Sequence, residues 1–331
     1  MSNHAILRDD YIIVNVKAVA INPSDVLHVD YFASPGARVG CDYAGVVEQV
    51  GSAVTKALAK GDRVAGVAHG SNAVHHEDGA FAEHITAKGD LLLRIPDNVS
   101  FEEAAGLGVG VTTVGQALYQ SLGLPTPDAP AKEKFPVLIY GGSTATGALA
   151  IQFAKLSGLE VITTASPKHF DDVKSLGADA VFDYNSETVI QDIKNATKGQ
   201  LKYALDTISK ESSAKITVGA FSDDGGIYTT LLPLPAELIA SINDKVTAKF
   251  TLAYSAVGEA FEFGQPFAAN LNDFAFASKF WILAERLLGE GRIKVHKPSV
   301  NDGGPGLSGA LKGISLVREG KISGRKLVYT L

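Results

Sequence analysis

The sequence predicts an α/β protein: a β-rich front, a doubly wound parallel-sheet middle and a mixed tail. Three observations predict it. The first third of the 331 residues is dense in β-branched residues, glycine turns and short alternating segments, as irregular antiparallel sheets are. From Phe135 onward, apolar runs of strand length alternate with stretches of helix length, which implies right-handed βαβ crossovers and a parallel sheet. Residues 137 to 147 read Val-Leu-Ile-Tyr-Gly-Gly-Ser-Thr-Ala-Thr-Gly, an apolar run that breaks into glycines and small hydroxyl residues before a helical stretch to Lys155.

In order along the chain, Tyr11 to Ala20 is a strand, and so is Tyr43 to Val50 before Gly51. Lys60-Gly-Asp-Arg-Val64 supplies a turn and a strand, and Gly79 to Ile85 continues the pattern. Ser100 is placed as an N-cap with Glu103 at the third helical position, a capping box, and helix resumes from Thr113 to Leu122. The stretch from Gly123 to Pro136 holds four prolines, Pro136 included, and reads as a surface loop. The middle then reads as strands at 137–140, 159–164, 179–183, 202–206 and 226–231, with helices at 146–157, 168–176, 187–197 and 211–219. Past Leu252 the pattern loosens into Gly/Pro-rich loops around 258–266 and 301–306, with a long helix from about Asp273 to Gly289 between them.

Charge and cysteine usage narrow the classes of function. A formal net charge of −6 with no dense basic stretch argues against a nucleic-acid partner. No apolar run approaches the ~18 residues that span a bilayer. Met1 to Asp10 has no apolar core, so it does not read as a signal peptide. Cys41 is the one cysteine, which excludes internal disulfides and a cysteine-rich zinc cluster. A reducing, cytoplasmic setting fits these features.

Strand, small-residue turn and helix is how an α/β protein presents a phosphate site, with backbone N–H groups at the helix start facing the anion. Here the usual Gly-x-Gly-x-x-Gly is altered, with Thr144 between Gly141 and Gly147. The Thr144 and Thr146 hydroxyls would add donors to a pyrophosphate, and Gly147 would permit close helix–strand contact. A plain βα turn with glycine used for packing is the alternative. Enzymes that take NAD place an acid at the end of the second strand to hold the ribose 2′-OH. Val161 to His169 contains none. Ser166, Lys168 and His169 would instead meet a 2′-phosphate, which points to NADPH. The same residues read as a helix start, Ser166 as N-cap and Pro167 following, and both readings hold together.

Five landmarks in order carry a resemblance: Ala20-Ile-Asn-Pro-Ser-Asp25, Val39-Gly-Cys-Asp-Tyr-Ala-Gly45, Gly61-Asp-Arg-Val64, Gly177-Ala-Asp-Ala-Val-Phe-Asp-Tyr184 and Ser323-Gly-Arg-Lys-Leu-Val328. The chain resembles the zinc-independent medium-chain dehydrogenase/reductases over nearly its whole length. Gly141 to Thr146, Ser166 to Phe170 and Asp183-Tyr184 are similar to the fungal trans-acting enoyl reductases of polyketide biosynthesis, relatives of quinone oxidoreductases. The resemblance implies a GroES-like substrate domain at 1–110 and 256–331, with a Rossmann NADPH-binding domain at 111–255 inserted in it. Relatives carry a few tens of residues before the strand at Tyr11 that are nearly absent here, and Leu27 stands where many have a lysine.

Zinc-using members of the superfamily hold the ion with Cys, His and Glu or a further Cys. Matching places here carry Asn22, Cys41 and Asp42. Asn is a poor ligand, adjacent residues seldom both reach one ion, and no cysteine lies between 60 and 100. His69, His75 and His76 read as solvated loop residues, so no metal is expected. The chemistry that remains is hydride addition to an activated alkene.

The resemblance implies that Gly142, Ser143, Thr144, Ala145, Thr146 and Gly147 bind the pyrophosphate, and that Ser166, Lys168, His169 and Tyr184 bind the 2′-phosphate. It places Leu231 and Leu232 at the nicotinamide amide, and Ser323 and Gly324 among the cofactor contacts. Asn22, Ser24 and Asp25 become neighbours of the nicotinamide, though Asn-Pro-Ser-Asp also reads as an Asx turn. Thr113 would contact ribose or substrate, or serve as a plain helix-interior residue. Tyr31 is the hydroxyl nearest the place where some enoyl reductases carry a proton-donating tyrosine; a pocket or core aromatic, with water as donor, is the alternative. Tyr254 to Gly258 resembles a segment lining the acyl channel. The function implied is NADPH-dependent reduction of an α,β-unsaturated acyl thioester, with a polyketide synthase that lacks its own enoyl reductase as partner and the chain as a monomer, dimers being known among wider relatives. A reductase of small quinones or enones is the enzymatic alternative, and an NADPH-binding structural or regulatory protein is the alternative of another class.

Overall fold

The computed structural model describes residues 6–32 and 34–331, so the reading of Met1 to Asp10 falls partly outside the described residues. In chain order the front holds β1 (Tyr11–Ala20), α1 (Pro23–Tyr31), β2 (Asp42–Val50), β3 (Arg63–Val67), β4 (His84–Lys88), β5 (Leu92–Arg94), α2 (Phe101–Ala105) and α3 (Gly108–Gly115). The middle holds β6 (Pro136–Tyr140), α4 (Ala145–Leu156), β7 (Glu160–Ala165), α5 (Phe170–Ser175), β8 (Ala180–Asp183), α6 (Val189–Ala196), β9 (Tyr203–Asp206), α7 (Glu211–Gly219), β10 (Gly226–Thr230), α8 (Ala236–Ile242) and β11 (Val246–Phe250). The tail adds β12 (Phe261–Glu262), β13 (Pro266–Phe267), α9 (Leu271–Gly289), β14 (Pro298–Val300), α10 (Gly306–Arg318) and β15 (Lys326–Thr330). The chain divides into two compact units, one made of residues 1–112 and 253–331, the other of 113–252.

In the first unit the sheet runs β14-β15-β1-β2-β3-β5, with β4 also on β1. β1 serves two partners along one side: Tyr11 to Asn15 pair with β4, and Ala18 to Ala20 pair with β15. Register shifts at Ile13/Val14 and Val16/Ala18 against β2 give the extra local twist that such a change of partner needs. Ile12, Val14, Val16 and Val19 enter one core with Val47, Val64, Ile85 and Leu92, closed by Ala310 and Ile314 of α10. Gly79 to Ile85 is only partly strand. The N–H groups of Ala80 and Phe81 go to the carbonyls of Gly40 and Val39, so the ladder starts at His84.

The second unit is a parallel sheet of order β11-β10-β9-β6-β7-β8. Val137, Leu138 and Ile139 of β6 are buried on both faces, as central parallel strands under helices are. The chain steps outward from β6 through β7 to β8, then returns to the other side of β6 at β9. The end of β6 is therefore the switch point where open α/β sheets bind ligands. The stretch expected as one helix from Thr113 to Leu122 changes type. α3 ends at Gly115, a poor helix former, and Gln116–Ser121 is π-helical.

Candidate active site

The turn after β6 is built by its own side chains. Gly141 has φ +83, the left-handed region that glycine populates freely, and a Cβ there would lie 2.5 Å from Thr207 Oγ1. At Gly147 a Cβ would lie 2.2 Å from the Gly141 carbonyl oxygen, so α4 starts directly against the turn. Thr144 is the N-cap: its hydroxyl accepts from Gly147 N at 2.9 Å and donates to Gly141 O at 2.9 Å. That corrects the expected task of Thr144. Its single hydroxyl proton is committed to the turn, so threonine in place of glycine stiffens the cradle instead of adding a donor. Ala145 and Thr146 occupy the first turn of this 12-residue helix, where backbone N–H groups have no intrahelical acceptor. Gly142 and Gly141 donate to Thr164 O at 2.9 Å and Thr164 Oγ1 at 3.0 Å, tying the turn to the end of β7.

Just past that end, Ser166 Oγ and Tyr184 OH share a 2.9 Å hydrogen bond, and the Tyr184 ring lies 6.3 Å from that of Tyr140. Ser166 makes no side-chain cap bond, so the hydroxyl expected as an N-cap points to Tyr184. Lys168 is exposed on a 3-10 turn, Pro167–His169, and His169 Nδ1 stands 3.6 Å from Asp172. The acid at the end of β8, Asp183, accepts from its own turn, from Asn185 N at 2.9 Å and Asn185 Nδ2 at 3.1 Å. The structure thus brings the glycine turn after β6 and the hydroxyl–lysine corner after β7 together along adjacent strand ends. Thr113 is buried in α3, while Leu231 and Leu232 follow β10 half-buried, with Leu231 N donating to Ser209 Oγ at 2.8 Å.

The first unit holds a separate buried polar cluster. Asn22 caps α1, and Asp25 Oδ2 accepts its backbone N–H at 2.7 Å. Lys326 on β15 donates to Asn22 Oδ1 and sits 2.9 Å from Asp42 Oδ2. That bond fixes the orientation of the Asn22 amide and leaves its Nδ2, a buried donor, without a protein acceptor. Burial pushes the Asp25 carboxyl up to about 7 and holds the Cys41 thiol well above its ordinary range. Cys41 Sγ lies 3.6 Å from Tyr254 OH, and the Tyr254 ring stacks on His69 at 4.3 Å. His69 is no solvated loop residue: burial lowers it to about 3. Tyr31 stands 75% exposed, apart from this cluster, and Ser323 and Gly324 lie in the turn before β15.

Residues 8–97 match the alcohol dehydrogenase GroES-like domain, and residues 145–269 match the zinc-binding dehydrogenase family. The chain is 48% identical over 327 residues to the trans-enoyl reductase ACTTS2 of Alternaria alternata, covering 98% of this chain and 93% of that protein. It is 55% identical over 255 residues to the trans-enoyl reductase TOXD of Cochliobolus carbonum, covering 77% and 84%. The chain belongs to the trans-enoyl reductases. Among solved structures, the CurK enoyl reductase has the same fold, with a TM-score of 0.75 at 19% identity over 100% of this chain and 93% of that one. A quinone oxidoreductase from Pseudomonas syringae has it too, with a TM-score of 0.72 at 22% identity over 98% and 93%.

This trans-enoyl reductase is accordingly an oxidoreductase with a GroES-like domain, a Rossmann-like dinucleotide domain and a nicotinamide cofactor. The zinc in the second family's description does not fit its residues. Among the described residues no three His, Cys, Asp or Glu side chains stand close enough to hold a metal ion. The Lys326 ammonium occupies the space beside Asp42 and Asn22, where a divalent cation would meet a fixed positive charge. Lys326 stands within the Ser323-to-Val328 landmark but was given no role of its own, because nothing local in the sequence marks it as buried. Asp206, Thr207 and Ser209, at and just past the end of β9, likewise had no motif to mark them.

Proposed function

We propose that this trans-enoyl reductase uses NADPH to reduce the carbon–carbon double bond of an α,β-unsaturated acyl thioester carried by a separate polyketide synthase. What carries the reading is a dinucleotide cradle that ends in hydroxyls and a lysine, with no acid from Val161 to His169, in a chain of the trans-enoyl reductases. The cradle fits the cofactor because Gly141 and Gly147 leave no room for a Cβ, and because Ser143, Ala145 and Thr146 present backbone N–H groups at the start of α4 while Gly142, its N–H tied to Thr164 O, lets the backbone approach closely.

Ser166, Lys168, His169 and Tyr184 hold the 2′-phosphate, with one ammonium and paired hydroxyls as donors. Leu231 and Leu232 hold the carboxamide through their backbone. When bound, the reduced nicotinamide supplies a hydride to the β-carbon. Negative charge then develops on the thioester carbonyl oxygen, and the unpartnered Asn22 Nδ2 donor, oriented by Lys326, is suited to stabilise it. Asp25 secures Asn22 through its backbone N–H, and Ser24 and Thr113 orient substrate or ribose. Water delivers the proton to the α-carbon, with the exposed Tyr31 hydroxyl as the other source.

Steady-state oxidation of NADPH by the purified protein, with crotonyl-pantetheine, a simple enone and a benzoquinone in parallel, tests the reading. Thioester-dependent oxidation that yields the saturated acyl product supports it. Turnover with quinone alone points to a reductase of small diffusible acceptors, and tight NADPH binding with no turnover ends the enzymatic reading.

A further inference from the structure

The end of β9 joins the two halves of the cofactor cradle. Asp206, fully buried, is satisfied by four donors: Ile208 N and Ser209 N on Oδ1, each at 2.9 Å, and Ser213 Oγ at 2.6 Å and Tyr228 OH at 2.7 Å on Oδ2. Such a carboxylate fixes the path of the following residues, since any movement of the loop would strip hydrogen bonds from a buried charge. The loop it fixes is unusual in one respect. Ser209 takes φ +57, the left-handed region that a serine enters only when its surroundings over-determine it.

That conformation engages the one proton of the Ser209 hydroxyl and one of its lone pairs. It donates to Asp206 O at 2.9 Å and accepts from Leu231 N at 2.8 Å. On the other side, Thr207 Oγ1 donates to Tyr140 O at 2.8 Å and lies 3.1 Å from Thr144 Oγ1, the cap of the pyrophosphate turn. Five consecutive residues, Asp206 to Lys210, therefore touch the phosphate turn through Thr207 and the strand end at Leu231 through Ser209.

We propose that Ser209, locked by Asp206, is a positioning residue for the nicotinamide end of the cofactor: it sets the backbone of Leu231 and Leu232 to meet the carboxamide. This rests on the reading that Leu231 and Leu232 hold that group. Ser209 acts through Leu231 and touches neither substrate nor reacting atoms. The Leu231 N–H already has its acceptor, so its part is to fix the peptide, leaving the neighbouring backbone groups to face the ligand.

The test compares two ligands that share everything except the nicotinamide. Dissociation constants for NADPH and for 2′-phospho-ADP-ribose are measured by calorimetry on the full chain as wild type, Ser209→Ala and Ser209→Gly. The glycine variant loses the same hydroxyl but suits a positive φ, so it keeps the fold if the alanine variant does not. The expected result is an NADPH affinity weakened about 3- to 10-fold, the size of one lost hydrogen bond, with 2′-phospho-ADP-ribose unchanged. The emission of bound NADPH would shift towards that of the free cofactor. Equal weakening of both ligands, or of neither, overturns the proposal. If the wild type binds the two ligands equally, the nicotinamide has no grip at Leu231, and the carboxamide assignment falls first, taking this inference with it.

Discussion

Replacing Lys326 by methionine should destabilise the first unit severely, although the residue lies on the last strand of the chain. Methionine keeps most of the apolar stem of the side chain and removes the ammonium. Asp42 is then left fully buried, with one oxygen accepting from Val109 N at 2.6 Å and the other facing no cation. Breaking a buried pair by deleting one partner costs about 3–5 kcal/mol. For a domain of 150–250 residues, 1 kcal/mol moves Tm by about 2–4 °C, so the expected fall is roughly 6–20 °C. The assay is built into the sequence. Trp281 is the one tryptophan, is fully buried, and donates to Thr112 Oγ1 at 3.2 Å, so its emission follows the first unit on urea or heat unfolding. Asp42→Asn closes a double-mutant cycle, in which the paired variant should regain about 2–3 kcal/mol relative to the sum of the single losses. A loss below about 1 kcal/mol for Lys326→Met, or simple additivity in the cycle, would refute the reasoning.

Thr144→Val removes the cap on Gly147 and the bond to Gly141; a loss of about 1–2 kcal/mol of stability and weaker binding of NADPH and NADH alike is expected, with Thr144→Ser near wild type in both. Lys168→Ala should weaken NADPH about tenfold and leave NADH unchanged, read as dissociation constants by fluorescence titration; equal losses would remove Lys168 from the 2′-phosphate. Asp25 is held protonated by burial to about pH 7, well above its unfolded value near 4, so its contribution to stability is fully present at low pH and is lost as pH rises from about 4 to 7. Asp25→Asn, neutral throughout and able to accept from Asn22 N, should therefore gain on the wild type as pH rises across that window in urea midpoints followed at Trp281. Identical pH slopes for the two proteins would show that Asp25 does not titrate there.

The parallel sheet was legible because central strands such as Val137 to Ile139 are apolar on both faces and alternate with stretches of helix length. The tight turn after β6 was legible in its glycines, Gly141, Gly142 and Gly147, and the lack of an acid between Thr163 and His169 can be read directly. The task of Thr144 was not. A threonine among glycines reads equally as a ligand donor and as a cap, and only the position of Gly141 O decides. The Lys326–Asp42–Asn22 cluster was hidden more deeply. Its three members are separated by up to 304 positions, and nothing local to any of them announces burial. His69 misled for the opposite reason: polar neighbours suggest solvent, but the aromatic rings of Tyr254 and Phe261, distant in sequence, enclose it.

The first unit is assembled from two stretches that flank the second in sequence, and this has a consequence for biogenesis. β1 leaves the ribosome long before its partner β15. At ~5–20 residues per second, the ~300 intervening residues take roughly 15–60 s, and for that time half of one edge of β1 has no strand to pair with. The middle stretch, whose strands all pair with one another, is complete well before then and can fold while the front waits. A nascent protein arrested or cleaved ahead of Lys326 would carry a finished dinucleotide domain beside an open sheet edge, with Asp42 still lacking its counter-charge. Such a product is a natural target for chaperones and proteases, which makes synthesis of β15 the step that commits this fold.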